Sequence, residues 1–153
     1  MLVSSIARIA ASAVLAVSPL SLGETPTKFA PDFGCVANLP APHPSGGAIK
    51  AHMRISCKRP VAAAHVEVQL WRLRAWGWEK IGPLGKYTKP ARVRTVDTFA
   101  AVPATRTECY YYRSTGEGHI IDWRGERIDT PGEGVSYDQR YLKGLPPGCG
   151  TKW

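Results

Sequence analysis

The best candidate for acid–base chemistry is His119, with Glu117 and Asp122 close by in sequence. In a basic chain such a set suits a nuclease, with His119 moving a proton and Arg113 or Arg124 clamping a phosphate. That chemistry usually needs a second acid or base within reach. The other three histidines, His43, His52 and His65, are scattered, and His52 falls on the basic face of a strand. His119 is therefore expected to be exposed or structural, with catalysis as the alternative. Other chemistries lack their motifs. There is no Gly-x-Ser-x-Gly and no Gly-rich phosphate loop between a strand and a helix. No His, Asp or Glu cluster has metal-ligand spacing. Pairs such as Glu126 with Asp129, or Glu117 with Glu133, are no more specific than any two acidic residues. No cofactor and no metal are expected.

A second kind of chemistry is binding. Trp71, Arg72, Arg74, Trp76, Trp78 and Lys80 interleave rings with cations, and Tyr110, Tyr112 and Arg113 repeat the mixture. Exposed, such side chains offer stacking and cation–π contacts; the alternative is that two of the three tryptophans fill the core. Charge points the same way. The chain carries a net charge of +8, and residues 50–106 hold twelve Lys or Arg against Glu67, Glu79 and Asp97. The flanking segments are nearly balanced. Arg54, Arg72, Arg74, Arg92 and Arg94, with Trp76 and Trp78, are the expected contact residues, and an anionic polymer or an acidic protein is the expected partner.

The elements that must position these residues follow from punctuation and period. Residues 1–23 pair one early cation with an apolar run and a small-x-small end, which reads as a cleaved secretory signal peptide. No other run is long enough to span a membrane. In an exported chain, Cys35, Cys57, Cys109 and Cys149 imply disulfides. Cys35–Cys57 with Cys109–Cys149 is favoured, because each closes a local loop. Residues 24–47 are a Pro- and Gly-rich leader, and residues 48–153 form a single domain.

Residues 49–57 alternate apolar with basic, a strand that Lys58-Arg59-Pro60 is expected to end. In residues 65–74, Val66, Val68 and Leu70 point one way and Glu67, Gln69 and Trp71 the other, a strand with one face on a core. A hairpin return through Trp76 and Trp78 follows, then a loop at 82–90 and a strand at 91–102 of mixed phase. Another strand is expected at 106–113, then a turn at Gly116-Glu117-Gly118. His119, Ile121 and Trp123 should share a face, and a short helix is expected around 137–142. Short strands broken by Gly and Pro predict an all-β fold, a small antiparallel sandwich or a barrel.

The spacing of Cys57, Trp71 and Cys109 resembles the Cys…Trp…Cys framework of immunoglobulin domains, although Thr107 stands where a Tyr is expected. The order of Cys35, Cys57, the VEVQLWR stretch at 66–72, Gly77-Trp78, and Cys109 with Tyr112 and Arg113 resembles small uncharacterised secreted proteins of actinobacteria and their phages. That resemblance implies a secreted, disulfide-pinned β domain and carries over no catalytic residue.

The expectation is a secreted monomeric binding module. A small hydrolase of nuclease type centred on His119 and Asp122 is the first alternative. A proteinase inhibitor presenting the 82–90 loop is the second.

Overall fold

The computed structural model describes residues 26–104 and 110–131, together with the backbone of residues 134–138. The segment read as a signal peptide lies outside that set, as do Cys109 and Cys149. Among the described residues eight strands follow one another: β1 (Thr27–Phe29), β2 (Cys35–Asn38), β3 (His43–Ser45), β4 (Ala48–Arg74), β5 (Gly77–Pro103), β6 (Tyr112–Ile121), β7 (Arg127–Asp129) and β8 (Gly134–Asp138). All pairing is antiparallel. Among the described residues there is no helix, and none long and apolar enough to cross a membrane.

The frame is a single hairpin of two 27-residue strands, β4 and β5, bent midway into a nearly closed barrel. The first half of β4 pairs with β2 and β3, and its second half with β6. The bend has a local cause. Ser56 lies opposite Thr95 and Val61 opposite Val93, so four residues of β4 face one of β5. Such bulges bend a strand and raise its twist. Pro60 stands inside this bulge, where no ladder N–H is required, so it does not end the strand as the sequence suggested. The freed amides are satisfied elsewhere: Lys58 N donates to Gly34 O (3.3 Å) and Arg59 N to Phe33 O (3.1 Å).

The bulge also shifts the phase. Odd residues Ile49 to Cys57 are buried before it, and even residues Ala64 to Leu70 after it. Both halves thus turn their apolar side chains to one interior, where Ile49, Val61, Val66, Val68, Leu70 and Ile120 are wholly buried. The mixed phase of residues 91–102 has the same origin, with Val93 buried before the corner and Val96 and Ala100 beyond it.

Three expected breaks prove to be strand. Residues 82–90 belong to β5, with residues 85–90 paired to β4 and residues 82–84 a bulge opposite Gln69, so they do not form the separate loop expected. Gly116-Glu117-Gly118 lies in mid-β6. A Cβ on Gly116 would stand 3.0 Å from Leu39 Cδ1 and 3.1 Å from Met53 Sδ, so glycine is there for close layer packing, not for a turn. Tyr137 and Asp138 are extended, paired with Arg113 and Tyr112, which excludes a helix there; residues 139–142 lie outside the described set.

The expected Cys35–Cys57 disulfide joins directly opposed residues of β2 and β4. Cys57 is therefore not available for an immunoglobulin-type bond to Cys109. In the chain-entropy model a loop of this size contributes roughly 3 kcal/mol. The Pro-rich stretch before β4 is thus tied down, and it supplies three strands to the sheet.

Candidate functional site

At the tip of the hairpin, cations and rings occupy both faces. On the outer face Trp71 lies directly opposite Lys80 on β5 and Arg113 on β6. The Lys80 ammonium is 5.2 Å from the Trp71 ring centre. The Arg113 guanidinium is 4.9 Å from Trp71 and 4.6 Å from Trp78. Trp71 Nε1 donates to Thr115 Oγ1 at 2.8 Å. On the other face Arg72 and Arg74 both donate to Glu79, at 3.0 and 3.1 Å, and both lie over Tyr110, at 4.6 and 4.9 Å. The two guanidinium groups hold the Glu79 carboxyl below its ordinary range by hydrogen bonding. Tyr112, buried beneath them, has its phenol raised by desolvation.

None of these tryptophans belongs to the buried core. The sequence placed Arg72, Arg74, Trp76 and Trp78 together, and the structure brings them together. Arg72 and Arg74, however, already share the carboxylate of Glu79. Only 18% of the Arg72 side chain is accessible. Trp76, 75% exposed, is the ring most open to a ligand.

Three other expected contact residues lie elsewhere. Arg54 is on the first half of β4, paired with Asp97 at 3.7 Å. Arg92 and Arg94 are exposed at the bend, opposite the Lys58–Pro60 bulge. Ala91 and Arg92 have φ of 63° and 50°, so β5 crosses the corner in the left-handed region. Lys58 lies along Gly34, and Arg59 sits 5.7 Å from the Phe33 ring centre. From the third side comes the turn between β6 and β7, where Trp123 Nε1 donates to Pro60 O at 3.1 Å while its ring stays 60% exposed. Lys58, Arg59, Arg92 and Arg94 form no ion pair among the described residues. Sequence reasoning missed Lys58, Arg59 and Trp123 as a group, since only the bend assembles them.

His119 has a partner that its sequence neighbours do not reveal. It lies directly opposite His65, with ring centres 5.1 Å apart and stacked. His65 is held by Thr88 (2.5 Å) and Glu67 (3.0 Å). Burial lowers the His119 pKa; Arg127 and His65 lower it further, against Asp129 and Glu67. A depression of about 410 Å³ opens here, lined by the two imidazoles, Glu67, Glu117, Arg127 and Asp129. Asp122 is not part of it. Its buried carboxylate accepts from Arg124 N (2.8 Å) and Glu126 N (2.9 Å), closing the β6–β7 turn. The Asp122 carboxylate is thus engaged in the turn and does not line the depression beside His119. Among the described residues no three potential ligands converge for a metal ion.

No protein-family model and no curated protein matches this chain. Among solved structures it is similar to CsgH of R. palustris, known from a solution structure, at 17% identity and a TM-score of 0.34. The match covers 53% of this chain and 78% of that one. At that level of superposition nothing about function transfers.

Proposed function

We propose that the chain is a disulfide-stabilised binding module that holds an anionic polymer, or an acidic protein surface, through the cations and rings of the β4–β5 hairpin. The observation that supports this most is that the hairpin carries its cations and rings outside the core, with Trp71, Trp76 and Trp78 among cations at the tip and Lys58, Arg59, Arg92 and Arg94 exposed at the bend. A disulfide suits an oxidising compartment, and we place the module at the cell envelope or beyond it, as a monomer.

His65 supplies the second imidazole that a nuclease centred on His119 would need, and this gives the enzymatic reading one observation in its favour. Against it, Glu67, Glu117 and Asp129 line the same depression and oppose entry of a phosphate.

The test presents purified protein with oligonucleotides, sulfated polysaccharide and an acidic polypeptide, following both retention and cleavage. Retention should fall as salt rises, because contact releases condensed counterions. A chain carrying Lys80→Glu, Arg92→Glu and Arg94→Glu together should not be retained, whereas His119→Ala should be. Turnover that disappears in His119→Ala would replace this reading with the nuclease.

A further inference from the structure

We infer that the corner where β4 and β5 bend is a binding site for single-stranded nucleic acid. Lys58, Arg59, Arg92 and Arg94 would meet its phosphates, and Trp123 would stack on a base. The inference rests on the proposed polyanion-binding function and assigns that function to one surface.

The two cationic surfaces differ in how available their cations are to a ligand. At the hairpin tip, Arg72 and Arg74 share the single carboxylate of Glu79, and Lys80 and Arg113 lie against the Trp71 ring, so all four cations already hold contacts within the protein. A ligand there must displace contacts the protein has made. At the corner the four cations have no counter-charge within ion-pairing distance among the described residues, and all are exposed. The acidic groups of the neighbouring turns do not pair with them. Asp122 is committed to two backbone amides, and Asp32 and Glu126 form no ion pair with the four.

The placement is rigid at three points. The bulge amides of Lys58 and Arg59 are bonded to the Ala30–Gly34 turn, and Trp123 is bonded to Pro60. Val61 pairs with Val93, both almost fully buried, which fixes Arg92 and Arg94 beside the bulge. Arg92 lies in the left-handed region, which is uncommon for a residue other than Gly, Asn or Asp. Strain of this kind persists where the surroundings over-determine it.

The residue types select the ligand. Three of the four cations are arginines, whose planar fork matches a phosphate's oxygens. The exposed indole offers a flat face, and base–aromatic stacking tolerates any sequence. A heavily sulfated polysaccharide would satisfy the guanidinium groups but presents no planar ring to Trp123.

The test titrates fluorescein-labelled oligothymidylate into wild-type protein over a series of salt concentrations, with heparin as the comparison. The corner variant is Arg92→Asn with Arg94→Ser, Asn being chosen because it tolerates the left-handed backbone. A second variant, Lys58→Ser with Arg59→Ser, leaves that backbone untouched, and thermal unfolding checks both. Each variant should lower the slope of log affinity on log salt by about 1.4, the value for two lost phosphate contacts on a single strand. Trp123→Ala should weaken binding roughly five- to 150-fold.

Binding that is unchanged in folded corner variants but lost in Trp76→Ala with Lys80→Ser would move the contact to the tip and overturn the assignment. Tighter binding of heparin than of oligothymidylate at equal salt would overturn the ligand class while leaving polyanion binding intact. Binding of neither would remove both proposals.

Discussion

Gly118 sits in the middle of β6, where a Cβ would come 2.6 Å from His65 O and 2.8 Å from Ile55 Cδ1. Gly85 is tighter still, since its Cβ would fall 2.2 Å from Phe99 O, on the backbone that crosses it where the two halves of β5 approach. These residues let two layers and one seam come together without side chains between them. Gly118→Ala should therefore destabilise by about 1–3 kcal/mol, the usual cost of overpacking. Gly85→Ala should cost at least as much, because backbone cannot rotate away. Glu117→Ala, exposed between the β6 glycines, should cost less than about 0.5 kcal/mol. Urea unfolding of the three variants checks this. Equal effects would mean that β6 does not lie against the opposite layer. In the sequence the Gly-Glu-Gly triplet has the composition of a turn, and nothing local tells a glycine required by a neighbouring layer from one required by φ.

At the scale of elements, antiparallel pairing arranges all four histidines into two stacked pairs, His43 with His52 and His65 with His119. His52 and His119 both have lowered pKa values, burial being the largest cause in each. His119 faces His65, Glu67, Arg127 and Asp129, and the two carboxylates only partly offset burial and the cations. A histidine whose folded pKa lies below its unfolded value of 6.5 binds fewer protons in the folded state just below that value. Its stabilising contribution is present above 6.5 and is lost as pH falls through the folded pKa. Unfolding free energy should thus decline as pH drops from about 7 towards 5. His52→Gln with His119→Gln should flatten that decline, as measured by chemical denaturation across the range. A decline of the same size in the double variant would assign it to other groups. Glu79, with a lowered pKa, contributes in a separate window below its ordinary value of 4.5.

The strands themselves were largely legible. The alternation of Val66, Val68 and Leu70 gives the buried face directly, and the local Cys35–Cys57 pairing follows from the loop it closes. Lys58-Arg59-Pro60 reads as a stop because proline cannot donate to a ladder. Whether a strand stops or bulges there depends on the Ala30–Gly34 turn, which satisfies the freed amides from elsewhere in the chain.

For the molecule as a whole, one bent hairpin carries two cationic surfaces of different character. The tip cations are engaged by one carboxylate and by rings; the corner cations form no ion pair among the described residues, and the corner is assembled from β4, β5 and the β6–β7 turn. Charge counting along the chain located the basic middle segment but could not separate these surfaces. The separation depends on Glu79 reaching both Arg72 and Arg74, and on the bend bringing the Lys58–Pro60 bulge opposite Arg94. Polyanions are proposed to meet the corner and not the tip. The most direct measurement follows the indole N–H resonances of the tryptophans while oligothymidylate is added to isotope-labelled protein. The account predicts that the Trp123 signal shifts in a saturable, salt-sensitive manner, together with the backbone amides of Arg92 and Arg94, while Trp71 and Trp78 stay in place. Saturable shifts confined to Trp71, Trp76 and Trp78, or no shifts at any indole, would contradict it.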